Sequence, residues 1–172
     1  MPTKVQFPPD DQGKKIRVKS CSAGFGHTAA LAESGDLYQW GFSIYGQTGF
    51  GDTKTRWYPE QVCNDVEGQP LPQFSKVACS KFGTFALDVV GKPYSWGQGY
   101  LGHGGKCMVK APKMIVQAST KQGAGTDNRI FTDIFASDDG CLFYAPIRIY
   151  DVFPRCGPSK GNTVIQIVGT GL

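Results

Sequence analysis

The chain has only two histidines, His27 and His103, no closely spaced cysteine pair, and almost no stretch free of glycine or proline. The six cysteines, at positions 21, 63, 79, 107, 141 and 156, form no CxxC pair and show no short regular spacing. The usual signatures of zinc and redox-dithiol sites are therefore missing. With 23 glycines and 11 prolines spread along 172 residues, only Thr126–Asp139 exceeds ten residues between such breaks. Long helices are excluded, and Ile130, Phe131, Thr132, Ile134 and Phe135 make even that window read as strand. Met1–Asp10 has no apolar segment of the signal-peptide kind, and no run approaches the length that spans a bilayer. The expectation is a soluble, intracellular protein with no membrane partner.

At 40% hydrophobic and 19% charged, the composition is that of a globular chain large enough for a core. The formal charge of +4 is dispersed, with its densest patch at Lys14, Lys15, Arg17 and Lys19. Lys15, Arg17 and Lys19 alternate with Ile16 and Val18, which reads as a strand with one solvated and one buried face, and nucleic acid is not expected as a partner. Cys21 and Cys79 each follow a β-like run and open the same Cys-Ser dipeptide, so both are expected as buried free thiols in a reducing compartment.

The chain repeats itself. His27–Leu31, Gly35 and Leu37–Gly41 recur 56 residues later as Gly83–Leu87, Gly91 and Pro93–Gly97, with Thr, Ala, Leu, Gly, Tyr, Trp and Gly in register. Downstream, Tyr58–Val62 matches Ala111–Ile115 at an offset of 53, which implies three residues deleted between Trp96 and Gly102. Upstream, Arg17–Ser22 matches Lys76–Ser80 at 58 or 59. Each copy predicts about four short strands separated by glycine turns. Ile130–Ser137 and Cys141–Tyr144 read as the first two strands of a third copy. Pro2–Val5, which lies 57 residues before Pro59–Val62, reads as the last strand of a copy before the first. The expectation is a segment of a longer array. Beyond Pro146, Ile149–Pro154 and Val164–Gly171 predict two strands joined by a turn at Gly157-Pro158, a pair that cannot bury its faces alone.

Two family resemblances follow from these residues. Val18, Cys21, Gly26–Thr28, Ala30, Leu31, Gly35, Leu37, Tyr38, Trp40, Gly41, Tyr45–Gln47, Gly49, Gly51–Thr53, Arg56 and Pro59 resemble the repeat of the regulator of chromosome condensation, the RCC1 repeat. The second copy lacks the histidine, the Gly-Gln after Tyr100 and the Gly-Asp-Thr turn, so its outer loop is expected to be reshaped. The resemblance implies an all-β fold, a partial β-propeller of four-stranded blades. Cys21, His27, Trp40, Gly41, Cys79, Trp96 and Gly97 are its structural signature, and the two tryptophans are core residues of successive blades. The tail, with Pro154, Gly157, Pro158, Gly161–Val164, Gly169 and Gly171, resembles the start of an IPT/TIG domain, an immunoglobulin-like sandwich. Residues 1–145 would hold the repeats, with copies at about 16–62 and 74–116 and remnants at 1–7 and 130–145, and residues 146–172 would begin the second domain.

Candidate chemistry is sparse. Gly24–Ala29 formally matches the dinucleotide fingerprint, but Glu33–Asp36 makes a turn within one strand's length, where that motif needs a helix. Asp10-Asp11 and Asp138-Asp139 sit beside glycine or proline as turn residues, and no nucleophile stands on a strained turn beside His27 or His103. No catalytic residue, cofactor, metal or small-molecule substrate is expected. One loop invites a contact role at Lys54, Arg56, Trp57 and Tyr58: it combines Arg, Trp and Tyr, the types enriched at interface hot spots, with Asp52 placed to pair with Arg56. The favoured function is a non-catalytic scaffold segment that docks on protein partners in a large assembly, in a cytoplasmic, cytoskeletal or ciliary setting, with the nucleus left open. The alternative implied by the family is nucleotide exchange on a small GTPase, which needs a closed wheel.

Overall fold

The structure is a computed structural model that describes residues 1, 3–9, 12–116, 130–138 and 140–146, together with the backbone of strands at 148–153 and 166–170. Among the described residues there is no helix. One four-stranded antiparallel sheet, the first blade, contains β1 (Val18–Ala23), β2 (His27–Ala32), β3 (Leu37–Gly41) and β4 (Arg56–Gln61) in that order. A second contains β5 (Phe74–Cys79), β6 (Gly83–Asp88), β7 (Pro93–Tyr100) and β8 (Lys106–Met114). A third begins with the pair β9 (Asp133–Ala136) and β10 (Cys141–Tyr144). The tail forms the antiparallel pair β11 (Arg148–Phe153) and β12 (Gln166–Thr170). Its connecting turn, with Gly157, Pro158 and Cys156, lies outside the described residues, as do Pro2, Asp10, Asp11 and Asp139.

The first strands of successive sheets meet: β1 and β2 pack on β5, and β5 and β6 on β9. This converging stack is the arrangement of propeller blades, with the fourth strands outermost. The first interface buries Ala29, Leu31, Leu37 and Val62 against Phe74, Ala86 and Trp96. The second buries Phe85, Leu87 and Leu101 against Phe131 and Ile134. β6 is buried at all six positions because a neighbour covers each of its faces, the polar Thr84 and Asp88 included. The glycine of each Trp-Gly pair has a steric cause. Gly41 and Gly97 hold φ of 102° and 99°, and a Cβ on either would strike the backbone of the residues opposite, Gly26-His27 or Phe82-Gly83.

The register corrects the upstream match. Val18 pairs with Ala32 and Phe74 with Asp88; Ser20 pairs with Leu31 and Lys76 with Leu87; each pair of strands slips at the same place. The offset is thus 56 throughout the first two strands, with Cys21 at the position of Val77 and Ala23 at that of Cys79. The shared Cys-Ser dipeptides are not equivalent. The downstream offset of 53 holds, since Glu60 pairs with Gln39 and Lys113 with Ser95. The three-residue deletion turns the long Phe42–Thr55 connection of the first blade into a hairpin in the second, where β7 runs on to Tyr100 opposite Lys106.

Three expectations about burial fail for one reason. Cys21 is exposed, Val18 is 41% exposed, and Trp40 is only partly buried where Trp96 is fully so. All three lie on the face of the first blade turned away from the second, where no further sheet packs among the described residues. Thr3–Pro9 forms no strand there; Phe7 instead sets its ring edge-on against Tyr38 and Trp40, at 5.6 and 5.7 Å. Cys79 faces the first blade, and its thiol donates to the Ser22 carbonyl at 3.4 Å. Burial pushes that thiol up to about 11. In the native protein at mild alkaline pH, Cys21 and Cys63 are expected to alkylate with iodoacetamide while Cys79 reacts only on unfolding, as peptide mass mapping will read.

Candidate functional site

Two constructions stand out, a polar seam between the first two blades and a clamped loop at the outer edge of the first. The seam centres on Thr84. Its hydroxyl donates to the Gln47 carbonyl at 2.8 Å and accepts from Gln39 Nε2 at 3.2 Å. The remaining lone pair faces His27 Nε2 at 3.0 Å, so that nitrogen carries the proton and Nδ1 is bare. Gln39 also accepts from Trp96 Nε1 at 3.0 Å, so both ends of one amide tie the blades together. Burial pushes the His27 imidazole down to about 4, with the Gly83 backbone a smaller opposing influence. Gly24 lies against this ring, leaving no room for a side chain. His27 is thus a neutral structural link, in a place where sequence matching between copies could not reveal its partner.

The outer loop is held by Arg56. Its guanidinium donates to both oxygens of Asp52, at 2.6 and 3.1 Å, and to the Lys54 carbonyl at 2.9 Å. It also lies 4.2 Å from the centre of the Phe50 ring and 3.5 Å from Glu60. The paired guanidinium holds the Asp52 carboxyl below its ordinary range. Arg56 is therefore turned inward and positions the loop, whereas Lys54, Trp57 and Tyr58 face outward, the two rings 82% and 74% exposed. Arg56→Ala is expected to cost about 1 kcal/mol, since the clamp is part-buried and multiply bonded. Trp57→Ala is expected to stay within about 0.5 kcal/mol of wild type; urea unfolding of the two variants checks both.

His103 meets Ser95 at 3.0 Å, a pair that invites comparison with a hydrolase site. The geometry is structural. Ser95 is fully buried and its hydroxyl donates to the Leu101 carbonyl at 2.6 Å, so His103 can only donate to it. Burial, then the nearby Lys113, lower the affinity of His103 for a proton. Gly24–Gly26 is the turn between β1 and β2, His27–Ala29 opens β2, and no helix follows. Among the described residues no group of three or more His, Cys, Asp or Glu side chains could hold a metal ion.

The model of the regulator of chromosome condensation (RCC1) repeat matches residues 34–87. The chain is 42% identical over 92 residues to the ultraviolet-B receptor UVR8 of Arabidopsis thaliana, covering 52% of this chain and 20% of the receptor. It is 37% identical over 107 residues to the E3 ubiquitin-protein ligase HERC2 of Homo sapiens, covering 59% of this chain and 2% of the ligase. It is 39% identical over 84 residues to Ras guanine nucleotide exchange factor C of Dictyostelium discoideum, covering 47% and 5%. The chain thus spans a fifth or less of these relatives. Among solved structures, Prp20p from Saccharomyces cerevisiae, described with its binding to Gsp1p and histones, superposes with a TM-score of 0.63 at 19% identity over 80% of this chain and 32% of its own. The same yeast protein bound to Kap60 gives 0.60 at 20% identity, over 79% and 30%. These likenesses establish the fold as a partial RCC1-type propeller.

Proposed function

We propose that this RCC1-repeat segment is a non-catalytic scaffold that docks on protein partners within a larger intracellular assembly, with the loop at Lys54, Trp57 and Tyr58 as one contact surface. The observation that carries the reading is an exposed pair of aromatic rings on a strand whose loop is fixed by the Arg56 clamp, because large side chains held in place lose little freedom on binding. The relatives support it indirectly. A receptor, a ligase and an exchange factor share the repeat but not an activity, which fits a common module for contact. The β11–β12 pair is read as the start of an IPT/TIG domain of the same scaffold, and a cytoplasmic, cytoskeletal or ciliary location belongs to this proposal.

The test is site-specific. A photo-crosslinking phenylalanine analogue placed at Trp57 in the full chain is expected to capture protein neighbours in cells, and the same analogue at buried Phe85 is expected to capture none. Equal capture at both positions, or none at Trp57, defeats the reading. Nucleotide exchange is the alternative, and accelerated nucleotide release from a small GTPase would favour it.

A further inference from the structure

The turns at the converging end of the blades form a second surface. Phe25, in the β1–β2 turn, is 74% exposed, yet its backbone is tied to the next blade. Its N–H donates to the Lys81 carbonyl at 3.1 Å, and the Lys81 N–H donates to the Asp138 carbonyl at 3.0 Å. Equivalent turns of three successive blades are thereby laced together. Gly24 anchors the first of them, wedged against His27 and the Ser80 carbonyl. The Phe25 ring meets Phe82 at 5.8 Å, edge-on, and Phe82 meets Tyr45 at 5.0 Å. Lys81 Nζ lies 5.9 and 5.5 Å from the centres of the Phe25 and Phe82 rings and pairs with no carboxylate among the described residues. Beside these rings opens a concavity of about 450 Å³ whose wall includes Ser80, Ser137 and Asp138.

An exposed ring on a tethered backbone has a physical implication that a floppy loop tip would not carry. Ordering costs are already met, so burying the ring under a partner gains most of its hydrophobic transfer. The chemistry of the occupant follows from the charges. Lys81 is a cation without an ion-pair partner, held at the edge of an apolar patch. Asp138, on the concavity wall, disfavours a second negative charge. We propose that this end of the blades is a docking site for a protein segment that places one carboxylate beside an aromatic or large aliphatic side chain: the carboxylate on Lys81, the apolar group against Phe25 and Phe82. The proposal rests on the reading of the chain as a protein-binding module, but uses a surface separate from the Trp57 loop.

The test uses the full chain, isotope-labelled, titrated with a short peptide whose centre is phenylalanine, glutamate and leucine. Two control peptides carry lysine for the glutamate or a run of glutamates without apolar residues. The first peptide is expected to shift the amide resonances of Phe25, Lys81 and Phe82, and the controls are expected to bind at least about tenfold more weakly. Phe25→Ser is expected to weaken the first peptide at least about tenfold, and Lys81→Glu to transfer preference to the lysine peptide. Both side chains are exposed, so unchanged thermal unfolding will verify that these variants remain folded. Equal binding of all three peptides, no shift at millimolar peptide, or insensitivity to both variants overturns the proposal. Shifts confined to Trp57 and Tyr58 also overturn it while leaving the scaffold reading standing; failure of Trp57 crosslinking with Phe25 shifts intact would do the reverse.

Discussion

Trp96→Ala is expected to destabilise the chain by roughly 3–5 kcal/mol, while Trp40→Ala, one repeat earlier at the same position, is expected to cost less than about half as much. The sequence makes these residues equivalents, but their surroundings differ. Trp96 is fully buried between the blades and donates to Gln39 Oε1 at 3.0 Å. Trp40 lies on the uncovered face of the first blade, where Phe7 is its aromatic neighbour. Truncating Trp96 thus opens a cavity in the core of the seam and orphans one end of the Gln39 amide. Because a chain of this size has only about 5–15 kcal/mol to lose, the alanine variant is expected to lie near its unfolding threshold. Trp96→Phe separates the contributions: the ring volume is largely kept and the hydrogen bond is lost, for an expected cost of about 1–3 kcal/mol. Urea midpoints followed by circular dichroism will rank the three variants, and equal losses at Trp40 and Trp96 would mean that the first blade's open face is packed in solution.

That contrast marks how far the sequence could be read. Strand content and the Asp52–Arg56 pair have local causes visible in a window of a few residues, and the Trp-Gly glycines and the three-residue deletion show when the two copies are aligned. What failed to show was whatever depends on the neighbouring sheet. Cys21 and Cys79 carry the same dipeptide, yet they lie 58 residues apart where the paired strands repeat at 56, so they occupy different positions of the blade. A strand's register is decided by its partner strand, and no run of six residues encodes that by itself. The exposure of Cys21 and Trp40 has the same origin, since burial here is a property of the adjacent blade. Arg56 was grouped with the outward residues because its type suits interfaces; its hydrogen bonds to Asp52 and Lys54 turn it inward instead. The candidate site was therefore legible as a loop and as a set of rings, but its division into a clamp and a contact surface required the geometry.

Acidification is expected to weaken the seam through His27 alone by roughly 3 kcal/mol between pH 6.5 and pH 4. The imidazole falls from its ordinary value of 6.5 to about 4 in the folded chain, chiefly because burial penalises the charged ring. A folded-state value below the unfolded one means that the unfolded chain takes up the proton first. The contribution is thus complete above pH 6.5, declines as the pH falls through the window, and is exhausted below about 4. The hydrogen bonds supply the structural reason. Thr84 already uses its own proton on the Gln47 carbonyl, so Nε2 donates to it, and a second proton would have to sit on Nδ1, which is buried without a hydrogen-bond partner. His103 is also shifted downward and adds in the same direction. Asp52, held low by Arg56, loses its contribution only at more acidic pH, as its carboxylate protonates. His27→Gln is expected to lower stability at pH 7.5 yet flatten its fall between pH 6.5 and 4, whereas His103→Gln should leave most of that slope in place. Denaturant unfolding at four or five pH values will measure both slopes. An unchanged slope in His27→Gln would mean that the ring is solvated and that Thr84 does not hold it neutral across the seam.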